Sequence, residues 1–215
     1  MDYILLVSHT LVLFPIGVCF WQYKKETDYK ALYTASGLLY TAFFSICMHT
    51  YDYPDLIQKW DEKSVKFSMW FLLDHWASES IIITTVLYAT RYHSDWFYII
   101  SHLSSVLFLI CEFTVPRELI IFIVITVGVL SALVKIKTLY LAVKHFYFST
   151  ILMFVFLGTA VYCLLNAGGS DYKIIHSMWH ILILSSAGLA CLTKSRLDAV
   201  CPIDVIYTRP TSRSM

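Results

Sequence analysis

The amino-acid sequence predicts an all-α membrane protein, a bundle of seven transmembrane helices. Three observations carry that expectation. Of 215 residues, 58% are hydrophobic and only 14% charged, against about 25% charged in an ordinary soluble domain. Mean hydropathy is +0.66. Seven apolar segments, at 3–22, 31–51, 67–90, 96–114, 119–138, 146–166 and 174–193, are each long enough to cross about 30 Å of hydrocarbon as a helix.

Taken in order, the first segment follows Met-Asp without a basic stretch or a small-residue cleavage site, and reads as an uncleaved signal anchor. The second ends at a polar connection, 52–66, whose Tyr53, Leu56, Ile57 and Trp60 suit a short amphipathic segment on the membrane surface. The third carries Asp74, His75 and Glu79. A tight turn with Pro116 joins the fourth to the fifth, in which Gly128 and Ala132 form a small-xxx-small pair, a candidate homodimer face. The connection 138–145 leads to the sixth, and Gly168-Gly169 stops that helix before the seventh. Residues 1–193 thus form one transmembrane domain, and residues 194–215, polar and with Pro202 and Pro210, a C-terminal tail.

Lysine and arginine orient the bundle. The first, third and fifth connections and the tail hold eleven of them; the N-terminus and the other three connections hold five. The bias puts the N-terminus outside and the C-terminus in the cytosol. The three lysines of the second connection, Lys59, Lys63 and Lys66, run against it. A net charge of +1 leaves no basic footprint for nucleic acid. The six cysteines are scattered without motif spacing, so no disulfide framework is implied.

An ionisable group inside a span costs several kcal/mol and needs a reason. The groups so placed are His9, His49, Asp74, His75, Glu79, His102, Glu112, His176 and His180. His176 and His180 lie four apart, on one face of a helix, roughly 5–6 Å between Cβ atoms, where two imidazoles can share a metal ion. Alone, the pair could equally be interfacial histidines bonded to backbone or water. The topology adds partners. His49 ends the outward-running second segment, with Ser45 one turn deeper, and Asp74 lies roughly 10 Å below the same face at about 1.5 Å per residue. Ser45, His49, Asp74, His176 and His180 therefore share one layer.

His75 points about 100° from Asp74 and reads as an interfacial or helix-contact residue. Glu79 either bonds core polar groups or lines a cavity. His9, His102 and Glu112 have no spacing partner and read as satisfied structural groups.

Three neutral imidazoles suit Zn²⁺ and leave its fourth position to water. The metal would bring that water's pKa towards neutrality, Asp74 could take or orient its proton, and Ser45 could donate a hydrogen bond to a developing oxyanion. These are the parts of a lipid amidase or esterase. A rhodopsin-like receptor is disfavoured, because the third segment lacks an acidic-Arg-aromatic switch and the seventh lacks Asn-Pro. A b-type haem would want histidines on facing helices.

Ser-x-x-x-His at Ser45–His49, Asp74 early in the next segment, and His-x-x-x-His at His176–His180 resemble the CREST superfamily, which includes alkaline ceramidases and adiponectin receptors. Asp171-Tyr172 followed by His176-Ser177-x-x-His180, with the short connections, looks most like its Myomaker-like branch. The resemblance implies a seven-helix fold with zinc bound by His49, His176 and His180. It also implies a multi-pass plasma-membrane protein promoting myoblast fusion, acting on membrane lipids, with a lipid in the bundle cavity and a second fusogenic membrane protein as candidate partners. The branch's vertebrate fusion factor ends in a cysteine-rich, lipidated tail. Here the tail offers only Cys201, which argues against anchoring by acylation. Ser45 and Asp74, as in the hydrolases, are both present. The leading expectation is therefore fusion, and the alternative a zinc-dependent lipid hydrolase.

Overall fold

The computed structural model describes residues 3–51, 69–166 and 172–201. Among them the regular elements are all α-helices: α1 (Tyr3–Thr10), α2 (Leu13–Glu26), α3 (Tyr29–Tyr51), α4 (Met69–Ala89), α5 (Ser94–Thr114), α6 (Arg117–Val134), α7 (Ile136–Asn166) and α8 (Tyr172–Val200). The connection 52–66 and the Gly168-Gly169 stop lie outside the described residues. Four helices among the described residues, within α3, α5, α7 and α8, are long and apolar enough to cross a membrane. The chain is a helical membrane protein.

The first expected segment is broken in two, for a reason written in its sequence. Pro15 has no N–H, and its ring collides with the carbonyl four residues earlier, that of Leu11. The helix stops at Thr10 and restarts at Leu13, which puts Pro15 in the first turn of α2, where an N–H would have no partner. Tight turns bridge the break: the Val12 N–H donates to the His9 carbonyl at 3.1 Å, and the Phe14 N–H to that of Leu11 at 3.1 Å. The expected connection 138–145 is helical instead. Only Lys135 separates α6 from α7, and α7 bends at Phe146 (φ −137°, ψ 44°). Its apolar residues Leu139, Leu141 and Val143 sustain the helix where a polar loop was anticipated.

α8 and α4 are the centre of the bundle. α8 packs against α1, α2, α4 and α7, while α4 packs against α3, α5, α6 and α8. Close approach uses small residues. A Cβ at Gly188 of α8 would land on the Phe14 ring of α2, and one at Gly37 of α3 would sit 2.7 Å from Ile81 Cδ1 of α4. Gly128 of α6 faces Ile83 of α4, where a Cβ would sit at an ordinary contact distance of 3.8 Å from Cδ1. The core joins Leu38, Ile83, Leu87, Tyr88, Phe97, Phe108 and Ile120. α7 turns Tyr147, Phe148, Ile151, Phe154 and Val155 outward, as a helix bathed in lipid would.

Residues 194–200, expected to begin the tail, continue α8. They do so because Lys194 and Asp198 are largely enclosed and paired, while Arg196 faces outward. Lys194 Nζ lies 2.6 Å from Asp28 Oδ2 and 2.8 Å from Asp198 Oδ2, and sits 4.4 Å from the centre of the Tyr88 ring. Arg91 Nε lies 2.7 Å from Asp198 Oδ1, and Arg91 Nη2 donates to the Cys201 carbonyl at 2.6 Å. Arg91 holds a left-handed backbone (φ 62°), which costs about 1 kcal/mol or more for a residue with a Cβ; the ion pair with Asp198 holds it there. The network ties the α2–α3 and α4–α5 turns to the end of α8.

Removing one member of a buried pair leaves the other charged and uncompensated, at about 3–5 kcal/mol. Asp198→Ala is expected to lower the thermal midpoint of the detergent-solubilised protein markedly. Asp95→Ala, whose pairing among the described residues is an exposed contact with His93, is expected to leave it unchanged.

Candidate metal centre

Three helices bring four histidines together. α1 supplies His9, one residue before its proline-induced end. α3 supplies His49 in its last turn, and α8 supplies His176 and His180 near its start. All but the partly open His49 side are firmly enclosed: His9, His176 and His180 are buried.

The Nε2 atoms of His49, His176 and His180 form a closed triangle. Its edges are 3.2 Å (His49–His176), 3.1 Å (His176–His180) and 3.4 Å (His49–His180). The rings meet edge to face, at interplanar angles of 71°, 89° and 82°, so each presents a nitrogen rather than a ring face to the common centre. Hydrogen bonds among three imidazoles cannot satisfy this arrangement. A neutral ring carries one N–H, and a single Nε2–H points at one neighbour. A cation at the centre would resolve it. Four ligands at about 2.0–2.1 Å in a tetrahedron stand about 3.3 Å apart, and the three observed edges bracket that value. The donor set, three nitrogens and no thiolate, fits Zn²⁺.

His9 is the residue that spacing alone missed. Its Nε2 shares a 2.8 Å hydrogen bond with Ser45 Oγ, and its ring lies tilted over that of His180, with centroids 4.1 Å apart. His9, His49 and His180 each offer a nitrogen within 4.8 Å of the other two, so this buried trio could also hold a metal ion. In the His49–His176–His180 triangle all three edges are 3.4 Å or less, whereas the His9 Nε2 is occupied by Ser45. Depth was the available signal for His9. It stands six residues into a helix that starts at the same face as the layer it joins.

Ser45 thus meets His9 directly, one turn below His49. Asp74 is buried on α4, only 1% exposed, in a helix packed against both α3 and α8. Trp179 flanks the centre, its ring 4.4 Å from that of His180 and 5.3 Å from that of His176. His102 bonds Tyr33 at the edge of the bundle (3.4 Å). His75 and Glu112 approach each other, with Glu79 nearby. Asp171 lies outside the described residues. All six cysteines are free, although Cys19 and Cys191 touch at 3.6 Å across α2 and α8.

Compared with known protein families, residues 2–181 match DUF3522, described as a protein of unknown function. The match runs from α1 through both histidines of α8, and the chain belongs to this family. No curated protein and no solved structure matches it.

Metal analysis of purified variants separates the two trios. His176→Ala and His180→Ala are expected to lose bound zinc, while His9→Ala keeps it near one equivalent per chain. Zinc lost with His9→Ala and kept with His176→Ala would assign the ion to the other trio.

Proposed function

We propose, for this member of the DUF3522 family, a seven-span membrane protein with a Zn²⁺ centre held by His49, His176 and His180 that hydrolyses an amide or ester bond of a membrane lipid. The convergence of three Nε2 atoms carries this reading. α1 and α2 make one broken span, and α3 to α8 supply the other six. The lysine and arginine bias supports an external N-terminus, which sets the centre towards the outer face, as a plasma-membrane lipid would require.

When bound, zinc would supply a Lewis acid and an acidified water. The residues of the chain do the rest. The three imidazoles hold the ion through Nε2. Burial of the cluster excludes bulk water, which strengthens each electrostatic interaction within it. Asp74 is the carboxylate that accepts the proton released during attack on the lipid carbonyl. Ser45 orients His9 beside His180 through a 2.8 Å hydrogen bond; with the His9 Nε2–H as its donor, the Ser45 hydroxyl proton is available to a developing oxyanion.

A second reading rests on a different observation. Asp171-Tyr172 with His176-Ser177-x-x-His180 supports a Myomaker-like role in myoblast fusion at the plasma membrane, with the zinc structural and a second fusogenic protein as partner. That role asks nothing of Ser45, Asp74 or His9, whereas hydrolysis uses all three. The geometry therefore favours hydrolysis.

The test is fatty-acid release, by mass spectrometry, from ceramide and from glycerophospholipid in nanodiscs containing the full chain. The wild type is expected to release fatty acid and His180→Ala none. Asp74→Asn should keep its zinc and slow roughly 100-fold or more, the scale of a lost general base. Zinc-loaded wild type that releases none, yet supports cell fusion equally well as Asp74→Asn, would replace hydrolysis by the fusion reading.

A further inference from the structure

A second cluster of metal-ligating side chains lies on the side of α4 that faces α5. His75 and Glu79 stand four apart on α4, one turn from each other on one face, and Glu112 projects from the last turns of α5. A ligand atom from each lies within 4.8 Å of the other two. His75 Nδ1 is 3.9 Å from Glu112 Oε1, and these side chains are only 11% and 7% exposed; Glu79 is buried. The site is built rather than incidental. The Phe71 ring packs 4.0 Å from that of His75 at an interplanar angle of 34°, which fixes the imidazole. One turn deeper, the α4–α5 seam is locked by Trp76 Nε1 donating to the Ser105 carbonyl (2.9 Å) and Ser80 Oγ donating to Ser105 Oγ (3.2 Å).

Two carboxylates this close in a buried seam repel each other and lose hydration. One divalent cation would bind both glutamates and the His75 imidazole at once and relieve that repulsion. One imidazole nitrogen with two carboxylate oxygens is an oxygen-rich donor set, suited to a hard ion such as Mn²⁺, whereas the all-imidazole centre suits Zn²⁺.

We propose that His75, Glu79 and Glu112 form a second divalent-cation site, separate from the three-histidine centre and independent of its chemistry. It joins α4 to α5 as the first centre joins α3 to α8, and occupancy stabilises that helix pair.

Mn²⁺ is the probe, because the free ion gives an electron paramagnetic resonance signal that is lost on binding. Titration of zinc-loaded, detergent-solubilised wild type is expected to bind one Mn²⁺ per chain and to raise the thermal midpoint. His75→Ala and Glu79→Gln should each weaken Mn²⁺ binding at least tenfold while keeping one zinc. His180→Ala should lose zinc and still bind Mn²⁺, so failure of the first site is read separately from failure of the second. If Glu112→Gln does not yield folded protein, Glu112→Asp serves, with the same loss of affinity expected. A zinc-loaded wild type that binds no Mn²⁺, or binding unchanged in His75→Ala and Glu79→Gln, would overturn the proposal.

Discussion

Three imidazole nitrogens held 3.1–3.4 Å apart inside a membrane bundle are the constraint around which the structure is arranged. Lone pairs aimed at one point repel, and burial removes the water that would separate them. Such a cluster persists only where an ion or protons sit between the nitrogens and the surrounding helices hold the rings in place. Each helix contributing to it is anchored elsewhere. α8, with two of the nitrogens, is gripped by α1, α2, α4 and α7. α3 meets α4 at Gly37, where the absence of a side chain admits Ile81. α1 ends where Pro15 forces it to, one residue beyond the histidine that Ser45 holds.

Charge is treated differently at the two ends of α8. At the histidine end, neutral rings converge on a point that could hold a cation. At the other end, Lys194, Arg91, Asp28 and Asp198 compensate one another within the chain. The second arrangement fixes where the turns sit and needs no ligand. The first gathers donor atoms with no charge of their own, and that difference separates a candidate site from a strut. Between them, the Cys19–Cys191 contact packs two small sulfurs where α2 crosses α8.

Much of this was legible in the residues. The 3.6-residue period places His176 above His180, and counting inward from the helix ends puts His49 at their depth, where the three meet. The spans of α3 and α5 follow from apolar length alone. What escaped was set by contacts that spacing does not encode. His9 has no partner along its own helix; its partner, Ser45, is 36 residues away. Glu112 looked solitary because His75 and Glu79 reach it from another helix. Lys194 and Asp198 looked like the start of a polar tail because their neutralising partners, Arg91 and Asp28, come from distant turns. The 138–145 stretch looked like a loop because Lys137, Lys144 and His145 outweighed the helix-forming residues between them.

The most direct test of the three-histidine centre is zinc K-edge X-ray absorption on the purified full chain, in a Glu79→Gln background so that one site alone reports. Three imidazole nitrogens and one oxygen at about 2.0–2.1 Å are the expected shell, with the outer-shell scattering that imidazole rings produce. A sulfur shell at about 2.3 Å, or protein that retains no zinc after purification, would contradict a metal held by His49, His176 and His180.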